Sequence, residues 1–478
     1  MQLPITGGTY EQVSRDVNYQ RCLNMFPSLA GLDKKKKVVL LPTPGLLELV
    51  DLGTGPVRAI MEDNSGNIYA IGGNTVYKIT LDSIGRTATA ASIGTIGTND
   101  SPISWDVNPT QIMFVDGSPT GGYIITTATD TLAQITDSDF TGGDTVTFMD
   151  SYFIYNTPDA ANMYATDSNN GASVKAAAFS TAEGRPDNLV AVLSDKRELW
   201  AFGDRSVEIW YNAANPTGFP FTRREGAYID IGCAAKLSVL RFNNTVVWLD
   251  NRGYVVQANG YTPQIISNEA ISAEIQSYAT VSDAVAFKSE DRGHLFYILS
   301  FPTEKKTWVY DATTNLWHER AYRNPANEFE HHLTNCHWRT SQLNLIGSRT
   351  NGKIYIQDHI YYDDDSEPIH RIRTTSHQKL EFTMVGVDSL NLHLESGQAT
   401  QSGDGNDPQV SMRYSNDGGH TWSHHLARSF GKVGQYGKQV RWNRLGVARE
   451  WLFEFSIVEP IKFAIIDASV NISGGRDG

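Results

Sequence analysis

Short runs of β-branched and aromatic residues recur along most of this 478-residue chain, and each run ends in turn-forming residues. Residues 68–71 and 76–79 form one such pair, separated by Gly72, Gly73 and Asn74 as in a tight hairpin. Comparable apolar centres follow at intervals of roughly 40–49 residues, the period of a four-stranded propeller blade. They lie near Met113, Phe153, Leu199, Val247, Phe296 and Leu345. Because helical periodicity is nearly absent, the sequence predicts an all-β protein built on a six- or seven-bladed β-propeller.

The hairpin pattern is clearest between residues 294 and 318. One strand ends in Tyr310 and Asp311, a polar turn follows, and Trp317 lies on the returning strand. In this kelch-like pattern the Asp and Thr side chains bond the turn backbone, and the aromatic rings pack between blades. Residues 199–202 and 207–211 have the same form.

The composition changes on both sides of the repeats. Residues 1–55 contain few predicted strands, a lysine run at 34–37 and a Pro-Thr-Pro-Gly turn at 42–45, which predicts an extended docking arm. Residues 371–478 alternate polar and apolar residues at period two, which predicts a separate β-sandwich. The predicted domains are therefore an arm at 1–55, a propeller at 56–370 and a sandwich at 371–478.

Cysteine usage and the N-terminus indicate where the protein is made. Cys22, Cys233 and Cys336 are too far apart for a disulfide framework or a CxxC metal site, which favours a reducing compartment. The first residues lack the features of a secretory signal, and the apolar stretch at 38–50 is too short to cross a bilayer. We expect no membrane span.

Motifs for catalysis or metal binding are weak. There is no Gly-x-Ser-x-Gly elbow or HExxH, and Lys432 stands where a P-loop ending at Gly437 and Lys438 needs a glycine. The cluster of His331, His332, Cys336 and His337 matches no standard zinc spacing, so a solvated hairpin loop is favoured. The acidic runs at 363–365 and 404–407 lack a complete calcium pattern and favour polar turns. We predict no enzymatic activity, no metal and no cofactor.

One motif resembles the Asp-box of sialidase-type propellers. In that motif the Asp side chain holds a hairpin turn and the Trp packs beneath it, so the motif is structural in most folds that contain it. It occurs once, outside the predicted propeller, and its characteristic residues are Ser415, Asp417, Gly419 and Trp422.

Acidic residues are concentrated in the first half of the predicted propeller. From residue 38 to residue 180 there are 15 acidic against 4 basic residues, which accounts for most of the net charge of −13. Aspartate is a common turn residue, but such a cluster could also form an acidic channel or surface that repels DNA phosphates or meets a basic partner. The stretch between Arg86 and Lys175 has no basic residue and ten aspartates: Asp100, Asp106, Asp116, Asp130, Asp137, Asp139, Asp144, Asp150, Asp159 and Asp167.

A basic segment near the C-terminus has the opposite character. It contains no acidic residue, and Phe430, Tyr436 and Trp442 lie among its cations. Such a segment could bind a phosphate backbone, dock on an acidic neighbouring subunit, or be a solvated strand face. Its basic residues are Arg428, Lys432, Lys438, Arg441, Arg444 and Arg449.

Five short phrases near the chain ends carry a family resemblance. They are RCLNMFP at 21–27, LPTPGL at 41–46, LNLHLESG at 390–397, SMRYSNDG at 411–418 and RWNRLG at 441–446. Their order and spacing resemble the packaged-DNA stabilisation proteins of short-tailed bacteriophages, which form the tail hub or nozzle. The propeller-like middle fits that family's architecture in outline.

The resemblance implies a structural virion protein, made in the host cytoplasm and assembled into the phage tail. Such proteins form a homo-hexamer below the portal and its adaptor ring, extend the DNA channel and retain the packaged genome until ejection. The implied partners are the adaptor ring, tailspike or fibre trimers, a tail needle or plug, and double-stranded DNA in transient passage. The resemblance implies no catalytic residue.

Two other hypotheses belong to different functional classes. A glycan-binding or sialidase-like propeller would use the Asp-box and Trp200, Trp210, Trp308 and Trp317 to stack on sugar rings, although such rings more often pack between blades. A host receptor-binding tail component is the other hypothesis.

Overall fold

The computed structural model describes residues 1–473 except 13, 15, 31–36, 83–85, 182–186, 342 and 380–383. Its described part is almost entirely β-structure, with one α-helix at Glu269–Ser277 and a 3-10 turn at Lys236–Ser238. The helix begins where the Asn268 side chain accepts a 2.9 Å hydrogen bond from the backbone N–H of Ile271. The predicted all-β class, with a propeller and a C-terminal sandwich, is confirmed.

Seven four-stranded antiparallel units follow one another along the described chain. Units 1 and 2 are Val57–Glu62, Ile68–Gly72, Thr75–Leu81 and Ala88–Thr95, then Ser104–Val107, Gln111–Val115, Gly122–Thr126 and Thr131–Gln134. Units 3 and 4 are Val146–Met149, Tyr152–Asn156, Asn162–Asp167 and Asn170–Thr181, then Leu189–Asp195, Glu198–Gly203, Val207–Asn212 and Phe221–Ile229. Units 5 and 6 are Leu240–Phe242, Thr245–Leu249, Val255–Asn259 and Thr262–Ile265, then Val285–Asp291, His294–Phe301, Lys306–Asp311 and Leu316–Glu319. Apolar side chains from adjacent units form shared clusters, which join the units into one repeat structure.

Unit 7 is completed by a strand from the other end of the chain. Its strands Thr334–Arg339, Asn344–Ser348 and Lys353–Asp358 pair in order, and Gly45–Asp51 pairs antiparallel with the third of them. The N-terminal strand therefore closes the unit that follows all the others in sequence, and it covers an edge that would otherwise be open. We call Gly45–Asp51 the closing strand.

The expectation that residues 1–55 hold few strands is wrong. The segment contains Gln2–Leu3, Tyr10–Glu11, Tyr19–Gln20, Cys22–Leu23, Met25–Ala30 and Lys37–Pro42 before the closing strand. Their short lengths and interrupting prolines leave no clear alternating pattern in the sequence. Gln2–Leu3, Cys22–Leu23 and Lys37–Pro42 in addition pair with strands hundreds of residues away, which no local pattern indicates. Lysines 34–36 of the basic run lie outside the described residues.

The C-terminal sandwich combines strands from both ends of the chain. Its first sheet runs in the order Val440–Ala448, Val385–Leu394, Ile465–Ser473, Lys37–Pro42 and Met25–Ala30, with Gln2–Leu3 beside Ile465–Ser473. Its second sheet runs in the order Arg371–Thr374, Glu450–Ile457, Gln409–Ser415 and Leu426–Ser429, with Gln378–Lys379 beside Glu450–Ile457. Trp442, Trp451 and Phe453 form the core with Leu3 and Leu40 from the N-terminal segment.

The second sandwich sheet is continuous with unit 6. Cys22–Leu23 pairs with Leu316–Glu319 of that unit on one side and with Arg371–Thr374 of the sandwich on the other. A single ten-stranded sheet therefore passes from the propeller into the sandwich. Two further two-stranded sheets are Tyr10–Glu11 with Tyr19–Gln20, and Ala321–Arg323 with Phe329–His331. Asp363–Asp364 pairs parallel with the closing strand and antiparallel with Glu367–Pro368, so these two short strands extend the sheet of unit 7 to six strands.

Candidate interaction surfaces

The ten aspartates of the acidic stretch are distributed over turns and strand ends. Asp130 accepts hydrogen bonds from the Tyr69 hydroxyl at 2.7 Å and from Lys78 Nζ at 2.8 Å, and these bonds lower its pKa. Asp144 lies 2.5 Å from Lys236 Nζ. Asp100, Asp106, Asp116 and Asp130 lie in or beside unit 2, Asp137, Asp139 and Asp144 between units 2 and 3, and Asp150, Asp159 and Asp167 in unit 3. The role of this set as a DNA channel or docking surface stays a prediction.

Two of these aspartates connect the segment after unit 2 to the outer strand of unit 3. Asp137 accepts a 3.1 Å hydrogen bond from the backbone N–H of Val174, and Asp139 accepts a 3.0 Å bond from that of Ala176. Both carboxylates therefore satisfy N–H groups of the strand Asn170–Thr181. This strand is the edge strand of its sheet.

Asp106 belongs to a row of polar side chains that joins the innermost strands of neighbouring units. It accepts a 2.7 Å bond from the backbone N–H of Phe148, and Thr147 in turn accepts a 3.0 Å bond from the N–H of Ser194. Arg241 of unit 5 reaches within 3.9 Å of the Asp106 carboxylate. Burial raises the pKa of Asp106, and the Arg241 charge opposes this shift. The inner edges of units 2–5 are thereby bonded to one another through side chains.

These innermost strands surround an axial cavity of about 770 Å³. All seven units contribute lining residues from their first strands. The charges are mixed, since four acidic and six basic side chains line the space, and of the ten aspartates only Asp100 and Asp106 do so. The charged lining residues are Asp100, Asp106, Asp283, Glu290, Arg58, Lys236, Arg241, Lys288, Arg339 and Arg349.

The basic segment lies where the chain passes between the two sandwich sheets at their open edge. Leu426–Ser429 ends the second sheet, and Val440–Ala448 ends the first. All six cations are exposed, and within the described chain none of them forms an ion pair. Arg441 donates a 3.0 Å hydrogen bond to the Ser389 hydroxyl, which holds its side chain against the outer face of the first sheet.

The Asp-box-like residues form a closed turn. Asp417 accepts bonds from the backbone N–H of Thr421 at 2.8 Å and from the Ser415 hydroxyl at 2.6 Å, and Ser415 accepts a 2.9 Å bond from the Gly419 N–H. The bonds from Ser415 and Thr421 lower the pKa of Asp417. Arg413 lies over the Trp422 ring at 4.7 Å from its centroid. These contacts account for each residue of the motif through turn geometry and packing.

Comparison with known protein families identifies the chain. A family model described as the bacteriophage P22 Gp10 β-propeller matches residues 1–360, and one described as the P22 Gp10 β-sandwich matches residues 370–473. The chain belongs to the P22 Gp10 family. This is a family of phage structural proteins that stabilise packaged DNA, so the predicted resemblance is confirmed.

Two solved structures illustrate a distant similarity to this Gp10 family member. The extracellular domain of a putative hybrid two-component system of B. thetaiotaomicron is 12% identical, with a TM-score of 0.46 over 85% of this chain and 50% of that chain. A surface component of the type-IX secretion system of Porphyromonas gingivalis is 10% identical, with a TM-score of 0.36 over 73% and 45%. The chain thus spans about half the length of these proteins. No curated protein matches its sequence.

The tryptophans proposed for glycan stacking in this family member are not accessible. Trp200, Trp210, Trp308 and Trp317 are all buried. Trp308 donates a 3.0 Å bond to the Tyr278 hydroxyl, and Trp317 donates a 2.8 Å bond to the Ile266 carbonyl. The packing interpretation of these rings is therefore correct, and the sugar-stacking interpretation is wrong.

The histidine cluster also differs from expectation, because His332 is buried and is not in a solvated loop. Its Nδ1 lies 2.7 Å from the Thr334 hydroxyl, and burial lowers its pKa to about 3. Among the described residues no group of three or more ligand-type side chains could hold a metal ion. No helix in the described part of this family member is long and apolar enough to cross a membrane.

A buried charge network between the N-terminal segment and unit 6 has no signal in the sequence. Arg21 binds Glu319 at 2.8 Å, and Lys306 binds the same carboxylate at 3.1 Å. Burial alone would raise the pKa of Glu319, but the charges of Arg21 and Lys306 outweigh it and lower that pKa. Nothing in the local sequence links Arg21 to a residue almost 300 positions away, and only the strand pairing of Cys22–Leu23 brings them together.

Proposed function

We propose that this protein is a homo-hexameric tail hub or nozzle of the virion that continues the DNA channel below the portal and adaptor ring. It retains packaged DNA until ejection and provides docking surface for tailspike or fibre trimers and for a tail needle or plug. It is made in the host cytoplasm and acts as a scaffold rather than as an enzyme. The observation that carries this proposal is the family match over residues 1–360 and 370–473.

The continuous ten-stranded sheet supports a mechanical role. A joint made only of a linker would let propeller and sandwich move separately under the pressure of packaged DNA. Here the chain crosses between them through strand pairing and through the Arg21–Glu319 ion pair. Such a joint transmits force through the backbone hydrogen bonds of the sheet.

The axial cavity is too small to be the DNA channel. Its volume of about 770 Å³ lies in the range of small-ligand sites, about 300–1,000 Å³. The channel of the proposed ring is therefore formed between copies of the chain and not through each propeller. An acidic wall would suit that channel, because DNA that slides past makes few lasting phosphate contacts with it.

The proposal is tested with phage particles that lack this protein. We expect such particles to package DNA and then lose it, because nothing below the adaptor retains the genome. The measurement is the fraction of particles that hold nuclease-protected DNA over time, with complementation by the wild-type chain as the control. Full retention of DNA by particles without the protein would contradict the proposal.

A further inference from the structure

The basic segment combines exposed cations with exposed apolar side chains. Val433, Tyr436 and Val447 are 52%, 71% and 60% exposed, and they lie among the six basic residues. Apolar side chains at this density contribute little to binding a phosphate backbone, whereas protein interfaces combine arginine with apolar and aromatic residues. The segment also includes Val440–Ala448, an edge strand that no other strand of the described chain pairs on its outer side. These features favour a protein partner over DNA.

A surface of opposite charge lies on the outer strand of unit 3, Asn170–Thr181. Ala172, Ala176 and Ala177 are exposed along this strand, and Phe179 is 44% exposed. Carboxylates already bond the backbone N–H groups of Val174 and Ala176, so the strand offers these exposed small and apolar side chains to a partner rather than a free backbone edge. Its single cation, Lys175, is engaged by Asp167 at 2.8 Å.

Carboxylates border this apolar edge. Asp137 and Asp139 bond its backbone through Val174 and Ala176, so both acidic groups lie directly against the strand. Asp167, at the end of the preceding strand, balances the charge of Lys175, so Asp137 and Asp139 supply the net negative charge here. The surface is thus an apolar strip flanked by negative charge, and the basic segment is an apolar strip flanked by positive charge.

We propose that the basic segment, residues 426–449, of one copy docks on the outer strand of unit 3, Asn170–Thr181, of the next copy. This inference rests on the proposed ring and names the surfaces that would build it. The two surfaces differ, so each copy would offer one to each neighbour, and such a head-to-tail contact can close into a ring. Opposite charge would orient the contact, and the valine, tyrosine and phenylalanine side chains would be buried in it.

Cysteine cross-linking tests the pairing directly. One protein carries Val447→Cys and another carries Ala177→Cys, and both are added to particles that contain portal and adaptor but lack this protein. We expect disulfide-linked dimers from the mixture and none from either variant alone, because each surface faces the other and never itself. Ile265→Cys replaces Ala177→Cys in the control, since Ile265 is 53% exposed on the outer strand of unit 5.

Charge reversal provides an independent test. The double variant Arg441→Glu, Arg444→Glu should lower assembly on the same particles at least tenfold, with the loss smaller at high salt, where charges are screened. The control reverses two exposed cations of unit 6, Lys288→Glu and Arg292→Glu, and should assemble normally. Circular dichroism of each variant verifies that the fold is retained.

The outcomes separate this inference from the proposed function. If the two cysteine variants assemble together but do not cross-link, or if rings tolerate the reversal at residues 441 and 444, the docking is overturned and the proposed ring stands. A reversal that spares assembly but abolishes binding to a short DNA duplex would assign the segment to DNA and equally overturn it. Failure of the wild-type chain to assemble on the particles would contradict the proposed hub itself.

Discussion

At the scale of single residues, the type of a polar side chain predicts its role in a local turn. It does not predict which distant groups surround that side chain in the folded protein. Aspartate predicts turns, and Asp311 accepts the 2.9 Å bond from the Thr313 N–H expected of the kelch-like turn. Asp364 differs, because it lies in a run predicted to be a polar turn and yet is only 4% exposed. Its Oδ1 has no hydrogen-bond donor in the described chain, and burial raises its pKa to about 7.

The variant Asp364→Asn should therefore alter the pH dependence of stability. Between the unfolded pKa of about 4 and the folded pKa of about 7, the folded wild type binds more protons than the unfolded chain, so its stability falls as the pH rises. Asparagine does not ionise, so the free energy of unfolding of the variant, relative to that of wild type, should rise by about 2–3 kcal/mol from about pH 5 to about pH 8. Urea denaturation at both pH values measures the gain.

The neighbouring Asp363→Asn is the matched control, because the side chain of Asp363 is partly exposed. This variant keeps the buried Asp364 carboxyl, so we expect its stability still to fall as the pH rises, as that of wild type does. Equal pH behaviour of the two variants would show that Asp364 does not titrate as a buried carboxyl.

At the scale of elements, the decisive contacts are strand pairings between distant parts of the chain. Hairpins within a unit follow from alternating runs and turn residues, which is why their spacing was recognisable. The closing strand pairs with Lys353–Asp358 across some three hundred residues. Its residues resemble any other apolar strand, and the free edge of unit 7 selects it as the partner.

Two adjacent leucines on the closing strand provide a test. Leu46 is 1% exposed and packs with Leu333, Ile346 and Tyr355, whereas Leu47 is 39% exposed. Leu46→Ala should destabilise the protein by about 2–5 kcal/mol, because it leaves a cavity at the closure. Leu47→Ala should change stability by less than about 0.5 kcal/mol. Urea denaturation measures the free energy of unfolding of both variants. Equal losses would show that the packing of Leu46 does not stabilise the closed unit 7.

At the scale of the whole molecule, the propeller and the sandwich are joined by paired strands and by a shared N-terminal segment. The sandwich core includes Leu3, Ile5, Met25 and Leu40 from the N-terminal segment, and the same segment contributes the closing strand of unit 7. The predicted domain boundaries at 55/56 and 370/371 stay a prediction, but strand pairing crosses both.

Thermal unfolding should consequently be cooperative across the two domains. We expect differential scanning calorimetry of the full chain to give one transition, because the sandwich cannot unfold without uncovering unit 6 and freeing the N-terminal strands. Breaking the joint with Glu319→Ala should separate that transition into two, since Arg21 and Lys306 then lose their buried partner. Two transitions in the wild-type chain would contradict this coupling.

The sequence by itself determined the all-β class, the repeated four-stranded units, the sandwich and, through its terminal phrases, the family. These properties depend on period-two alternation and turn chemistry, which are local and can be recognised without partners. Only the tertiary structure decided where the N-terminal segment goes, which aspartates bond which strands, and that the tryptophans are buried. Those outcomes depend on which distant edges are left unpaired, and a strand's residues do not encode the identity of its partner.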